Sequence, residues 1–430
     1  MDRKDNISVI LQTLFAVIGT LVGYPLLGNI FIVLAAPFVV YMIFKRNALY
    51  LPAIILHCTS ETSIIFLVCF SVIIFSILNY KKISTNKHIK RLFWLLIVTM
   101  PLYVNLTYQK MTLDYLPWQH ALMYTGYYLS FWSFIYGYII ADTFNWKTSK
   151  LLIGIIVLLF IISLLFNVRS SRVFSMVLYM GIPYGLFTLQ HTNRKFLGIF
   201  IIGVSLLMLL GDRFLTFTEI LTILLSTLVY LLWNTKMKKT SRMIISTPAY
   251  IMIAIIMITS IQNYNNTNID YTEYGDYEGD KTFNNLYNRA LYKLYDDRAV
   301  FWLAAWEQIS YIKPIMPKYD MPDLIAYRNN GRELDASSFG AHNTPLQLIR
   351  IFGFLMGIIL IVCYIYMSCL STKVLLCKSI DKRFIPLFIT ITSYVVIVFL
   401  TGMAAILPQF ALFYFGTMGI SYNKSINIVN

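Results

Sequence analysis

The chain has 430 residues, is 58% hydrophobic and 16% aromatic, and has a mean hydropathy of +0.66. Soluble domains are about 45–50% apolar, so the composition argues against a water-soluble globular fold. The net charge of +15 sits in short loops between apolar runs, a pattern of membrane orientation that excludes a nucleic-acid-binding surface as its cause.

Taken in chain order, residues 7–44 admit two arrangements: one pass with an interfacial piece, or a short hairpin turning at Gly23-Tyr-Pro-Leu-Leu-Gly28. Residues 48–58 are apolar but few, and contain Pro52. No small-residue cleavage site follows the first apolar run, so the helices themselves are expected to direct insertion. Apolar runs follow at 64–78, 92–106, 121–140, 151–166, 173–190, 196–210, 214–233 and 243–261, and again at 346–369, 384–400 and 403–420. Runs of roughly 20 apolar residues can cross about 30 Å of hydrocarbon. The expectation is an all-α polytopic membrane protein with 12 to 14 transmembrane helices.

Basic residues gather at Lys81, Lys82, Lys87, Lys90 and Arg91, at Lys147 and Lys150, and at Arg194 and Lys195. Further groups are Lys236, Lys238, Lys239 and Arg242, then Lys373, Lys378, Lys382 and Arg383. An excess of Lys and Arg marks cytoplasmic loops, which places these loops and the C-terminus in the cytoplasm. Three segments result: transmembrane helices over 1–261, a polar loop over 262–344, and C-terminal transmembrane helices over 345–430. The loop holds twelve carboxylates and eight basic side chains, a balance of −4 that leaves +19 on the rest of the chain. It therefore falls on the face opposite the cytoplasm. The five cysteines lie in or beside apolar runs, and neither CxxC nor a His/Cys cluster occurs. No disulfide framework, metal site or cofactor is read from them.

Several polar residues could carry chemistry. His342 precedes Asn343-Thr344-Pro345, where Thr344 suits an N-cap and Pro345 the first helical position. The free N–H groups of a helix N-terminus suit a phosphate, and a solvated loop histidine is the alternative. Arg298 follows Asp296 and Asp297 and opens an amphipathic segment with Trp302 and Trp306 four apart. It could lie at a membrane surface, or be a packed helix whose arginine pairs with those aspartates. Arg213, beside Asp212, lies between two apolar runs. Glu219, six residues on, is about 600° around a helix and does not face it, so Arg213 needs another anionic partner. Arg169 and Arg172 fall on the outer side, against the trend of the basic loops, and read either as functional side chains or as side chains snorkelling to the headgroups. The tyrosines from Tyr271 to Tyr295 suit a membrane-interface belt or sugar stacking.

Arg298-x3-Trp302, a gap of roughly 40 residues, and His342-Asn-x-x-Leu346 running into a helix with Gly353-x3-Gly357 together resemble the O-antigen ligase/polymerase superfamily. In that family such segments open and close a large periplasmic loop, and the two preceding helices meet at a Ser-Arg-Gly-like turn. Gly211-Asp212-Arg213 occupies that place here. The resemblance spans roughly residue 196 to the C-terminus. It departs from the family where Lys313-Pro314-Ile-Met-Pro317 lacks the glycines of a Pro-x-x-Gly-x-Gly turn, and where Asp212 and Phe214 flank Arg213 in place of the serine and glycine.

The resemblance implies a GT-C-like inner-membrane enzyme with a partly helical periplasmic loop. Its implied activity is metal-independent inverting polymerisation of undecaprenyl-diphosphate-linked oligosaccharide repeats into O-antigen or a related surface polysaccharide. Arginines would grip the diphosphate, which assigns Arg213 and Arg298 to it. His342 would be the base for the acceptor hydroxyl or a second diphosphate contact. Trp302, Asn343 and Arg350 are further substrate contacts, with packing against a carboxylate the alternative for Arg350. The implied partners are the lipid-linked glycan, the bilayer, a chain-length regulator and a flippase, with no nucleic acid. A ligase transferring glycan to lipid A–core needs the same diphosphate chemistry. A flippase is the alternative of another class; transporters typically carry related halves, and no internal repeat is visible.

Overall fold

The computed structural model describes residues 3–111, 126–166, 176–211, 217–234, 327–329, 332–334, 343–372, 381–402 and 404–426. The described chain is almost entirely helical. It opens with α1 (Arg3–Ile18), a π-helical turn (Gly19–Gly23), α2 (Tyr24–Leu27) and α3 (Asn29–Phe44). Gly28 turns the chain with φ 51° and ψ −123°, a conformation that glycine adopts without a Cβ clash. Phe15 then meets Phe31 and Phe38 with ring centroids 5.3 and 5.1 Å apart. The N-terminal segment is thus the hairpin, the second of the two arrangements admitted by the sequence.

Residues 48–60 form a 3-10 turn (Ala48–Tyr50) and α4 (Leu51–Ser60), with Pro52 in the first turn, where its missing N–H is harmless. The Glu61 side chain accepts from Ser63 N at 3.3 Å and starts α5 (Thr62–Leu78). There follow α6 (Tyr80–Ser84), α7 (Lys87–Met111), α8 (Tyr127–Ser130), α9 (Trp132–Ile140) and α10 (Trp146–Leu165). Next are α11 (Met176–His191), α12 (Lys195–Gly211) and α13 (Phe217–Asn234), then α14 (Thr344–Ser371), α15 (Ile385–Thr401) and α16 (Pro408–Ile426). Within the polar loop, β1 (Tyr327–Asn329) pairs antiparallel with β2 (Arg332–Leu334), with Asn329 opposite Arg332. Asn330-Gly331 separates them, a pair favoured in two-residue hairpins.

The core centres on α9, which is buried along its whole length. It crosses α16 at backbone contact: a Cβ added to Gly137 would lie 1.8 Å from the Gly416 carbonyl oxygen, and one added to Gly419 would lie 2.1 Å from that of Phe134. Small residues permit this approach, and van der Waals packing of the two backbones holds it. Asn423 Nδ2 donates to Tyr138 O at 3.0 Å and Ser130 Oγ to Ile406 O at 2.8 Å, tying both ends of the crossing.

Side-chain contacts define two ends of the bundle. At one, Lys82 Nζ donates to Ile139 O at 2.6 Å and pairs with Asp142. Thr143 Oγ1 donates to Arg46 O at 2.6 Å, His88 Nδ1 meets Tyr366 Oη at 2.5 Å, and Tyr184 Oη donates to Arg383 O at 3.2 Å. The basic loops around residues 46, 82, 88 and 383 therefore share this end. At the other end lie the starts of α5, α9, α11, α13, α14 and α16. Asn234 bonds Gln190 at the basic end, whereas Thr344 bonds Gly402 at the opposite end.

Among the described residues four helices are long and apolar enough to cross a membrane: Asn6–Leu27, Lys87–Tyr108, Thr344–Ser371 and Lys382–Phe399. Shorter apolar helices accompany them. Large apolar side chains face outward along the bundle, among them Val33, Leu78, Val98, Phe196 and Leu207, each at least 69% exposed. Exposed apolar surface on this scale is unfavourable in water, and the apolar helices suggest a membrane protein.

Candidate functional site at a broken helix

The α14 N-terminus is built by three adjacent residues. Asn343 is the N-cap, extended at φ −147° and ψ 118°, and its side chain accepts from Leu346 N at 3.1 Å. The cap is therefore Asn343 rather than Thr344. The Thr344 hydroxyl is engaged elsewhere, donating to Gly402 O at 2.9 Å and lying 3.4 Å from Val398 O at the end of α15. Pro345 follows within the first turn. Sequence alone could not separate the two caps, because both side chains suit the position.

Nine residues on, Gly353 breaks the helix with φ 76° and ψ 175°. This region of backbone space is essentially restricted to glycine. Beyond the break the chain folds against itself: a Cβ on Gly357 would lie 2.7 Å from Ile349 Cα. In a straight helix residues eight apart are separated by about 12 Å along the axis. The first segment of α14 is therefore a separate, sharply bent piece. Non-helical backbone at membrane depth occurs where protein or a cavity lines it.

That bent segment carries polar side chains inward. Gln347 and Arg350 are 1% and 3% exposed. Leu348, Ile351 and Phe352 pack beside them, also buried. Arginine within an apolar helix costs a few kcal/mol or more unless its guanidinium is satisfied, so its presence singles out this segment.

A second polar group flanks the segment through α15. Four residues below Val398, about 6 Å along the axis, the Tyr394 ring stacks on Tyr414 of α16 at 4.9 Å and on Tyr179 of α11 at 6.4 Å. The Tyr179 hydroxyl donates to Glu219 Oε1 on α13 at 2.6 Å. Contacts thus run from Thr344 through Val398 and Tyr394 to Tyr179 and Glu219. Sequence reasoning considered Glu219 only as a partner for Arg213 and did not foresee Tyr179, Tyr394, Tyr414 or Gln347. A lone carboxylate in an apolar run was the one available signal.

Of the residues singled out by sequence, Asn343 and Arg350 fall on this bent segment. Arg213, Arg298, Trp302 and His342 lie outside the described residues, as do Arg169, Arg172 and the tyrosines from Tyr271 to Tyr295. Comparison with family models, curated proteins and solved structures finds no match.

Proposed function

We propose that the chain is a polytopic inner-membrane glycosyltransferase of GT-C-like architecture with 12 to 14 transmembrane helices, of the O-antigen polymerase type. It would join undecaprenyl-diphosphate-linked repeats at the periplasmic face. The observation that carries the reading is the helix directly after His342-Asn343. It is broken at Gly353 and holds a buried Arg350 within the bent piece. The Arg-x3-Trp and His-Asn-x-x-Leu motifs support the same reading. So does the gathering of basic loops at the bundle end away from Thr344, as cytoplasmic loops would gather.

In the proposed reaction an acceptor hydroxyl attacks the anomeric carbon of the donor glycan and loses its proton. The bond from that carbon to the diphosphate oxygen breaks, and the diphosphate leaves with the electron pair. Without a metal, the developing charge is met by arginine forks and backbone N–H groups. Arg213 and Arg298 are assigned to the diphosphate, with His342 as base or second diphosphate contact. Trp302, Asn343 and Arg350 complete the substrate contacts.

One observation favours a transport reading. Discontinuous helices with polar groups at their break are also how transporters build substrate sites. A single assay separates the readings. Purified protein receives an undecaprenyl-diphosphate-linked repeat, with and without lipid A–core. A ladder of lengths on the lipid carrier supports a polymerase, and one transfer to core makes it a ligase. No transfer, with lipid movement in proteoliposomes, makes it a flippase. Full glycan length and yield from Arg298→Ala or His342→Ala at normal protein levels would overturn the residue assignment.

A further inference from the structure

The cations at the basic end of the bundle differ in whether the protein already neutralises them. The Arg383 guanidinium is engaged by Asp381, donating from Nε at 2.8 Å. Lys82 donates to Ile139 O at 2.6 Å and pairs with Asp142. Lys45, Arg46 and Lys81 are exposed and pair with no carboxylate among the described residues. With Lys82 they set four positive charges against the one carboxylate of Asp142, a balance of +3.

Contacts bring these side chains to one place. Arg46 O accepts from Thr143 Oγ1 at 2.6 Å. Asp142, the residue before Thr143, pairs with Lys82, and Lys81 lies in the same short helix, α6. The Arg46 guanidinium lies over the Phe75 ring of α5 at 5.6 Å, and the Lys45 ammonium over Tyr41 at 5.4 Å. Among the described residues Arg46 is the only non-glycine with a positive φ, 57°. Such a conformation persists where the surrounding structure over-determines it, and it clusters at binding sites. Here the Thr143 bond and the ring contact hold it.

Apolar surface leads up to the charges. α3 and α5 touch through Phe44 and Phe75, with ring centroids 5.5 Å apart. Leu34, Phe38 and Tyr41 on α3, and Phe70, Ile74 and Leu78 on α5, are exposed at helical spacing. Each helix thus turns an apolar stripe outward and ends it near the cations. That arrangement matches a lipid, with acyl chains on the stripes and a headgroup anion at the charges. A zwitterionic headgroup brings its own cation and gains little there, whereas an anionic one is attracted outright. The arginine fork suits the two free oxygens of a phosphodiester. Side chains already held by rings and a carbonyl lose less freedom on binding.

We propose that Lys45, Arg46, Lys81 and Lys82 form a site for an anionic phospholipid, with its phosphodiester on Arg46 and its acyl chains along α3 and α5. This goes beyond glycosyl transfer and rests only on the bundle lying in a bilayer.

The test offers purified full-length protein, in a neutral detergent, equimolar phosphatidylglycerol and phosphatidylcholine with the same acyl chains. Native mass spectrometry counts the lipid retained. The wild type is expected to retain phosphatidylglycerol in preference. Arg46→Gly suits the positive φ while removing the cation, and should lower that retention about fivefold. Adding Lys81→Gln should bring the fall to about twentyfold. Arg383→Gln, whose cation is already engaged, should leave retention within about twofold. Equal retention of the two lipids by the wild type would overturn the proposal. So would unchanged phosphatidylglycerol retention in the double variant, or an equal loss from Arg383→Gln, which would mean a diffuse rim of charge. Should the double variant fail to give a monodisperse protein, Lys45→Gln with Lys81→Gln decides, with the same fall expected. No glycan enters the assay, so its failure leaves the glycosyltransferase reading standing.

Discussion

Replacing Gly353 by alanine sets local backbone energy against burial. At φ 76° and ψ 175° a Cβ costs about 1–3 kcal/mol. Alanine also favours a continuous helix over glycine by about 1 kcal/mol, so the substitution moves the balance toward a straight α14 by roughly 2–4 kcal/mol. Straightening would strip Leu348, Ile351 and Phe352, each 1% exposed or less, of their packing against protein and turn Arg350, 3% exposed, toward lipid, at about 2.5–3.5 kcal/mol for the arginine alone. It would also break the Thr344 bond to Gly402, worth about 1 kcal/mol. Burial outweighs strain, so Gly353→Ala is expected to keep the bend and fold with a melting temperature lower by several degrees. Thermal unfolding in detergent measures the loss. Maleimide labelling of Thr344→Cys, in a background lacking Cys369 and Cys377, measures the bend, because Thr344 is fully buried in the bent form. An unchanged melting temperature would refute the strain assigned to Gly353. Fast labelling would refute the claim that burial holds the segment bent.

Three further outcomes follow from the packing. Gly137→Ala and Gly419→Ala place Cβ atoms 1.8 and 2.1 Å from backbone oxygens and should each destabilise the fold by about 3 kcal/mol or more. Gly416→Ala, whose Cβ would sit 3.7 Å from Ser133 O, should be tolerated; equal melting temperatures for the three would contradict the crossing geometry. Arg350→Ala should cost about 3–5 kcal/mol by leaving the groups around a buried charge unsatisfied, read as loss of the monodisperse peak in size-exclusion chromatography. At the basic end, hydrogen bonds from Arg383 hold the Asp381 carboxyl below its ordinary value. A depressed carboxylate stabilises above its unfolded pKa, and the gain is lost as pH falls through the folded one. The melting-temperature gap between wild type and Asp381→Asn should therefore be present at pH 7 and close as pH drops below the ordinary carboxylate range.

The sequence by itself determined the helical class, the apolar runs and the basic character of the short loops between them. These follow from local composition: a run of apolar residues has one low-energy conformation in hydrocarbon, the internally hydrogen-bonded helix. The α14 cap was legible to within one residue, and the pairing of residues 327–329 with 332–334 could have been read from the Asn330-Gly331 sequence between them. The polar residues at the start of α14 were legible as candidates because charge in an apolar run is rare.

What only the tertiary structure decided depends on groups distant in the chain. Gly353 resembles any helical glycine until the packing of residues 348 and 349 against Gly357 bends the backbone there. The choice of Asn343 over Thr344 as cap rests on Gly402, 58 residues away. Tyr179, Glu219, Tyr394 and Tyr414 come from four helices, and no local period relates them. Their meeting is set by how α11, α13, α15 and α16 pack, an interaction energy that appears only when all four are in place.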